Sequence, residues 1–106
     1  MTKEQELDLA IIDLRDELLR AFAKHPPMNS AHEGHSVIRE ELDELWDHVK
    51  QDTGGGDAAR KEALQIAAMG LRYAVDVCGR DQRPAMSVSE FARSVGTADP
   101  SPHWNK

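Results

Sequence analysis

The stretch Glu62–Cys78, EALQIAAMGLRYAVDVC, decides how this chain folds. Only Glu62, Gln65, Arg72 and Asp76 interrupt a run of apolar and small residues. The run shows no apolar–polar alternation and is longer than an ordinary strand, so it reads as a helix. The pattern predicts this helix over about 58–77, with Asp57 as a plausible cap and Gly79 closing it. A helix apolar on every side has to be surrounded by other helices. Two further long helices from one chain can scarcely enclose it. A homo-oligomer that shares its core is therefore expected, with a loose monomeric bundle as the alternative.

Two long helices precede it. From about Thr2 to Lys24, Leu7, Ala10, Ile11, Leu14, Leu18, Ala21 and Phe22 recur at three-and-four spacing, which gives an apolar stripe. Leu9, Ile12 and Leu19 lie off that stripe and also need cover. His25–Ser30, HPPMNS, stops the helix, because two prolines cannot continue it. Ser30, followed three residues on by Glu33, reads as a capping box that opens a second helix running to about Gln51. Thr53–Gly56, TGGG, ends it. Beyond Pro84 the signal weakens: Ser87 and Glu90 suit a short helix through Val95. The expected fold is all-α, three long helices plus a short C-terminal one, with a single domain over 1–96 and a tail over 97–106.

Composition limits what the protein does. At 106 residues the chain is one domain. A net charge of −6 and no basic patch argue against nucleic acid as a partner. No apolar run approaches a membrane span, and MTKEQELD is unlike a signal peptide. The single cysteine, Cys78, sits in an apolar pattern and reads as a core residue. The chain reads as a cytosolic protein.

The second helix carries three acids as E-E-x-x-E: Glu40, Glu41 and Glu44. At about 100° per residue, Ile38, Leu42, Leu45 and Val49 form one apolar arc, with Trp46 at its edge. Arg39, Asp43, Asp47 and Lys50 lie on the far side. Glu41 belongs with neither group: it falls between Val37 and Leu45, with Glu44 one turn on. Glu62 is likewise flanked by Ile66, Met69 and Tyr73. Carboxylates that converge between packed helices need cations. Of the arginines in the facing helices, Arg39 points away. Mg²⁺ or Mn²⁺ held by oxygens from both helices is the economical solution. A solvated helix face is the plainer alternative.

These residues resemble the all-α nucleoside triphosphate pyrophosphohydrolases, the MazG-like superfamily that includes dimeric dUTPases and phosphoribosyl-ATP pyrophosphohydrolases. Its motif is E-E-x-x-E on one helix and E-x-x-D on the next. Glu40-Glu41-Leu42-Asp43-Glu44 completes the first half. Glu62 opens the second, but Gln65 stands at the aspartate position. The context from Met28 to Lys50 is similar to small phage- or prophage-type members. The resemblance covers about 31–78. It implies metal ligation by Glu41, Glu44 and Glu62, with Gln65 a weaker, uncharged ligand. It casts Glu40 as an adjacent ligand or the base that orients water. It further implies cleavage of a nucleoside triphosphate to the monophosphate and pyrophosphate in a homodimer or homotetramer. Asp76 cannot replace Gln65, because eleven residues span about 16 Å of helix. A non-catalytic helical interaction or regulatory module with a degenerate nucleotide site is the alternative function.

Other features carry less. Lys61, Arg72 and Lys50 are candidates for phosphate contact. Trp46 suits either base stacking or cover of the core edge. HEGHS, His32–Ser36, misses the H-E-x-x-H zinc pattern because Ser36 stands at the second histidine position. TGGGD lacks the Lys-Ser/Thr of a phosphate-binding loop.

Overall fold

The computed structural model describes residues 1–79. Three helices account for most of them: α1 Lys3–Lys24, α2 Ala31–Lys50 and α3 Asp57–Asp76. No strand occurs among the described residues. The short helix expected near Ser87–Val95, the 97–106 tail and the 1–96 domain boundary lie outside them. None of the described helices is long and apolar enough to cross a membrane.

Local chemistry accounts for the helix ends. Thr2 caps α1 in a full capping box: its hydroxyl accepts from Gln5 N–H, and the Gln5 side chain accepts from Thr2 N–H. At α2, Ser30 Oγ accepts from Glu33 N–H, but the Glu33 carboxylate takes the Asn29 N–H instead of Ser30's. The expected box is thus only half formed. The α3 cap is Gly56, and Asp57 is already the first helical residue. Asp57 therefore acts through its charge in the first turn, which the helix dipole favours, and not as a capping acceptor.

Helix α3 is the centre of the fold. Helices α1 and α2 each pack on it and do not pack on each other. Gln65 meets Glu17, Arg60 meets Asp13, and Arg72 meets Pro26, so α1 runs parallel to α3. Gly34 lies against Tyr73 while Glu41 and Glu44 meet Glu62, so α2 runs antiparallel to α3. The core between them is small: Ala21, Met28, Ala68 and Met69, with Leu14, Leu18, Val37, Ile38, Tyr73 and Val77 packed around it.

Several sequence expectations change here. Leu42, Trp46 and Val49 are about half exposed, so only Ile38 and Leu45 of the expected α2 arc are covered, with Val37 beside them. Trp46 does not cover the core edge. Cys78 is exposed and not a core residue; it lies two residues past the end of α3. Leu7, Ile11, Ile12, Leu19, Leu71 and Val75 also remain exposed in the single chain.

Gly34 lies where α2 packs closely on α3. A Cβ there would sit 2.5 Å from Tyr73 Cδ2 and 3.3 Å from Met28 Sδ. A glycine inside a helix is intrinsically unfavourable, so its place here comes from packing. Gly34→Val should lower unfolding free energy by about 2 kcal/mol, since overpacking of this kind costs roughly 1–3 kcal/mol. Urea unfolding would measure it. A neutral or stabilising result would mean that the two helices are free to separate.

Candidate metal centre and groove

The packing just described brings three acids to one place. Glu41 and Glu44, one turn apart on α2, face Glu62 on the antiparallel α3, with ligand oxygens all within 4.8 Å of one another. Among the described residues this is the one group of three or more Asp, Glu, His or Cys side chains so close. Glu41 and Glu62 are half-buried and Glu44 is exposed. No ion pair among the described residues includes any of the three. One oxygen of Glu62, Oε2, is buried with no hydrogen-bond partner.

The electrostatics follow from this geometry. Burial, then a hydrogen bond with Glu62, then the Glu44 charge push the Glu41 carboxyl up to about 7. Glu44 is also raised, first by its hydrogen bond with Glu62, then by burial and the Glu62 charge. Carboxyl groups can hydrogen-bond each other only when one keeps a proton. Without a cation Glu41 therefore keeps its proton to near neutral pH, and its titration is tied to that of Glu44. A divalent cation would do the same work for all three charges at once.

An open groove of about 880 Å³ runs beside the cluster. Its floor is α3, through Lys61, Gln65, Met69 and Arg72; one wall is α1 and the other is α2. Glu40 and Glu41 line the α2 wall, with Glu40 exposed. Of the residues named from the sequence, Lys61 and Arg72 do line the groove, and Trp46 does not. His25 lies on its wall, whereas His32 and His35 do not. His48 continues the Glu41–Glu44 line but is engaged with the Thr53 hydroxyl through Nδ1, at 3.2 Å.

Gln65 is placed differently from the three acids. Its amide nitrogen donates to the carboxylate of Glu17 on α1. Glu17 also pairs with Arg20, and that bond, with help from Gln65 and Lys61, holds its carboxyl below the usual range. Sequence reasoning passed over Glu17. The signal was present: it stands among Leu14, Leu18 and Ala21 on the α1 stripe, an acid on a packed face just as Glu41 is on α2.

Arg72 is buried. Its Nη2 donates to the Pro26 carbonyl at 3.0 Å and its Nη1 meets Met69 Sδ at 3.5 Å. Nε has no hydrogen bond and lies 4.0 Å from Asp76 Oδ2, which in turn accepts the Met28 N–H at 3.0 Å. Arg72 and Asp76 thus tie the α1–α2 connection to the last turn of α3. Comparison with protein-family models, with curated proteins and with solved structures finds no match to this chain.

Proposed function

We propose that the carboxylate trio and the groove form the site of a Mg²⁺- or Mn²⁺-dependent nucleoside triphosphate pyrophosphohydrolase of the MazG-like type, working as a homo-oligomer. The observation that carries this reading is the meeting of Glu41, Glu44 and Glu62 across two helices, with a buried oxygen of Glu62 lacking a partner. An all-carboxylate donor set suits a hard divalent cation better than zinc or copper. Glu41, Glu44 and Glu62 would hold it, within reach of the groove wall that Glu41 shares.

Bound there, the cation would neutralise phosphate oxygens and ease deprotonation of a water. The side chains of this chain supply the rest. Lys61 and Arg20 offer charge to the phosphates along the groove. Arg72 is buried and its guanidinium is held by the Pro26 carbonyl, so it shapes the groove floor and leaves phosphate contact to the exposed cations. Glu40 stands at the wall to take the proton of the attacking water. The water oxygen bonds to the α-phosphorus as the α–β bridging bond breaks, giving the monophosphate and pyrophosphate.

Gln65 enters through its orientation. The Glu17 carboxylate can only accept, so the Gln65 nitrogen faces α1 and the amide oxygen turns away from it. That oxygen is the only end of the amide able to ligate a cation. Gln65→Asp would add the motif's missing charge but lose this bond and face Glu17 with a like charge. It should cost about 1 kcal/mol without metal, the worth of one hydrogen bond, and increase the stabilisation by Mn²⁺. Thermal unfolding with and without Mn²⁺ measures both effects. An unchanged Mn²⁺ response would remove Gln65 from the ligand set.

The hold of Glu17 on Gln65 also favours a second reading, a non-catalytic interaction or regulatory module with a degenerate nucleotide site. Thermal unfolding over the nucleoside triphosphates with Mn²⁺, followed by assay for pyrophosphate, separates the two. A shared stabilisation with pyrophosphate release supports the hydrolase. Stabilisation with no release supports the module. The absence of any response to ion or nucleotide would contradict the metal reading.

A further inference from the structure

Donors from two helices converge on the Glu17 carboxylate at one end of the groove. Its Oε2 accepts from the Arg20 guanidinium, one turn on along α1. Its Oε1 accepts from the Gln65 amide on α3. Lys61, one turn before Gln65, is near enough for its charge to act on the same carboxylate. Both oxygens of Glu17 are therefore engaged, and its side chain is only 22% exposed against 68% for Arg20. Lys61 and Gln65 also flank Glu62 in sequence, so this place lies at the level of the carboxylate trio on α3. Glu17, Arg20 and Lys61 are shared with a second hollow of about 420 Å³, whose other acids are Asp13, Asp16 and Asp57.

A guanidinium, an ammonium and an amide N–H turned to one acceptor are the donors that a phosphate group would use. We propose that Glu17 is a built-in competitor for the phosphates of the substrate: its carboxylate occupies the anion place made by Arg20, Lys61 and Gln65, and a phosphate enters by displacing it. A phosphate oxygen, like a carboxylate oxygen, only accepts, so it takes over these donors without turning the Gln65 amide. An empty groove thus presents its cations already neutralised. A lone inorganic phosphate gains little by replacing Glu17, whereas a polyphosphate that also engages a cation at the trio gains more. The acids of the second hollow repel anything anionic beyond that point. This role rests on the reading of the groove as a phosphate site. A plain pin between α1 and α3 is the other use of such a contact, and it predicts the opposite sign. Loosening a pin disorders the groove and weakens binding; removing a competitor tightens it.

Calorimetric titration of the full chain with inorganic tripolyphosphate and Mg²⁺ tests it, alongside Glu17→Gln, Asp16→Asn and Arg20→Gln, each checked for the parent's far-UV signal. Glu17→Gln should bind tripolyphosphate about fivefold more tightly than the parent, since a partly exposed ion pair no longer has to be broken. Asp16→Asn removes a charge that also acts on Arg20 but lies on the wall of the second hollow. It should change affinity by less than about twofold at about 0.15 M salt, where exposed charges are screened. Arg20→Gln should bind more weakly than the parent. Equal or weaker binding by Glu17→Gln, with Arg20→Gln still impaired, would make Glu17 a pin and leave the groove a phosphate site. A gain in Asp16→Asn as large as that in Glu17→Gln would reduce the effect to net charge and overturn the role as well. No binding by either the parent or Glu17→Gln would overturn it together with the phosphate reading of the groove.

Discussion

Glu41→Gln should abolish stabilisation by Mn²⁺ and, if the chain hydrolyses nucleotides, lower that activity by about 100-fold or more. Removing even a supporting partner of a metal ligand typically costs 10–100-fold, so removal of a ligand should cost at least as much. The same change should stabilise the metal-free protein. Folding raises the Glu41 carboxyl from 4.5 to about 7. Below pH 4.5 folded and unfolded chains both hold the proton. Between 4.5 and about 7 the folded chain holds it and the unfolded chain has released it. Stability therefore falls as pH rises through this window and levels off above it. Glutamine stays neutral and can donate to Glu62, so the variant should lack that decline. At pH 7.5 it should be more stable than the parent by about 1 kcal/mol, after allowing for the solvent that reaches the cluster. Metal-free unfolding at pH 5 and 7.5 measures both. Parallel pH profiles for parent and variant would mean that the carboxylates do not interact.

Arg72→Leu should be the most damaging single change to the fold, at about 3 kcal/mol. Breaking a buried pair by removing one partner typically costs 3–5 kcal/mol, because the remaining charge is stranded. Here the side chains of Arg72 and Asp76 are only 6% and 8% exposed. Asp76 would keep the Met28 N–H but lose its cation, and the Pro26 carbonyl would lose its donor. The lower end of the range fits because the Nε–Oδ2 separation is a long 4.0 Å. Arg72→Leu combined with Asp76→Asn should recover part of the loss, since no charge is then stranded. Denaturant unfolding of the single and double variants gives the coupling. A cost below about 0.5 kcal/mol for Arg72→Leu, the level of an ordinary surface change, would make Arg72 a free groove cation and not the tie between loop and α3.

The legible parts of this protein are those written in local chemistry. Pro26 and Pro27 end α1, Thr53–Gly56 ends α2, and the apolar run from Glu62 makes α3, all within a residue or two of the helices observed. The convergence of Glu41, Glu44 and Glu62 followed from helix rotation, because an acid on a packed face can be recognised from its neighbours. The place of Gln65 did not follow. Its partner Glu17 is 48 residues away, and nothing local says that α1 runs parallel to α3 with those two in register. The α2 arc failed for a related reason. Rotation groups Leu42, Trp46 and Val49 with Ile38 and Leu45, but which part of a broad apolar arc is covered depends on the neighbouring helix. In α2 that neighbour sits over Gly34, Val37 and Glu41.

Calorimetric titration of Mn²⁺ at pH 6.5, in two buffers of different ionisation enthalpy, tests most directly whether the three glutamates share a cation. The buffers matter because they report protons. Near that pH the cluster retains a proton that a bound cation must displace. Saturable binding with release of roughly half a proton or more is expected, with loss of both in Glu41→Gln and Glu62→Gln. Binding that releases no proton, or that survives both substitutions, would place the cation elsewhere. No binding at millimolar Mn²⁺ would leave Glu41, Glu44 and Glu62 as acids held together by a proton alone, and the hydrolase reading would fall with the metal.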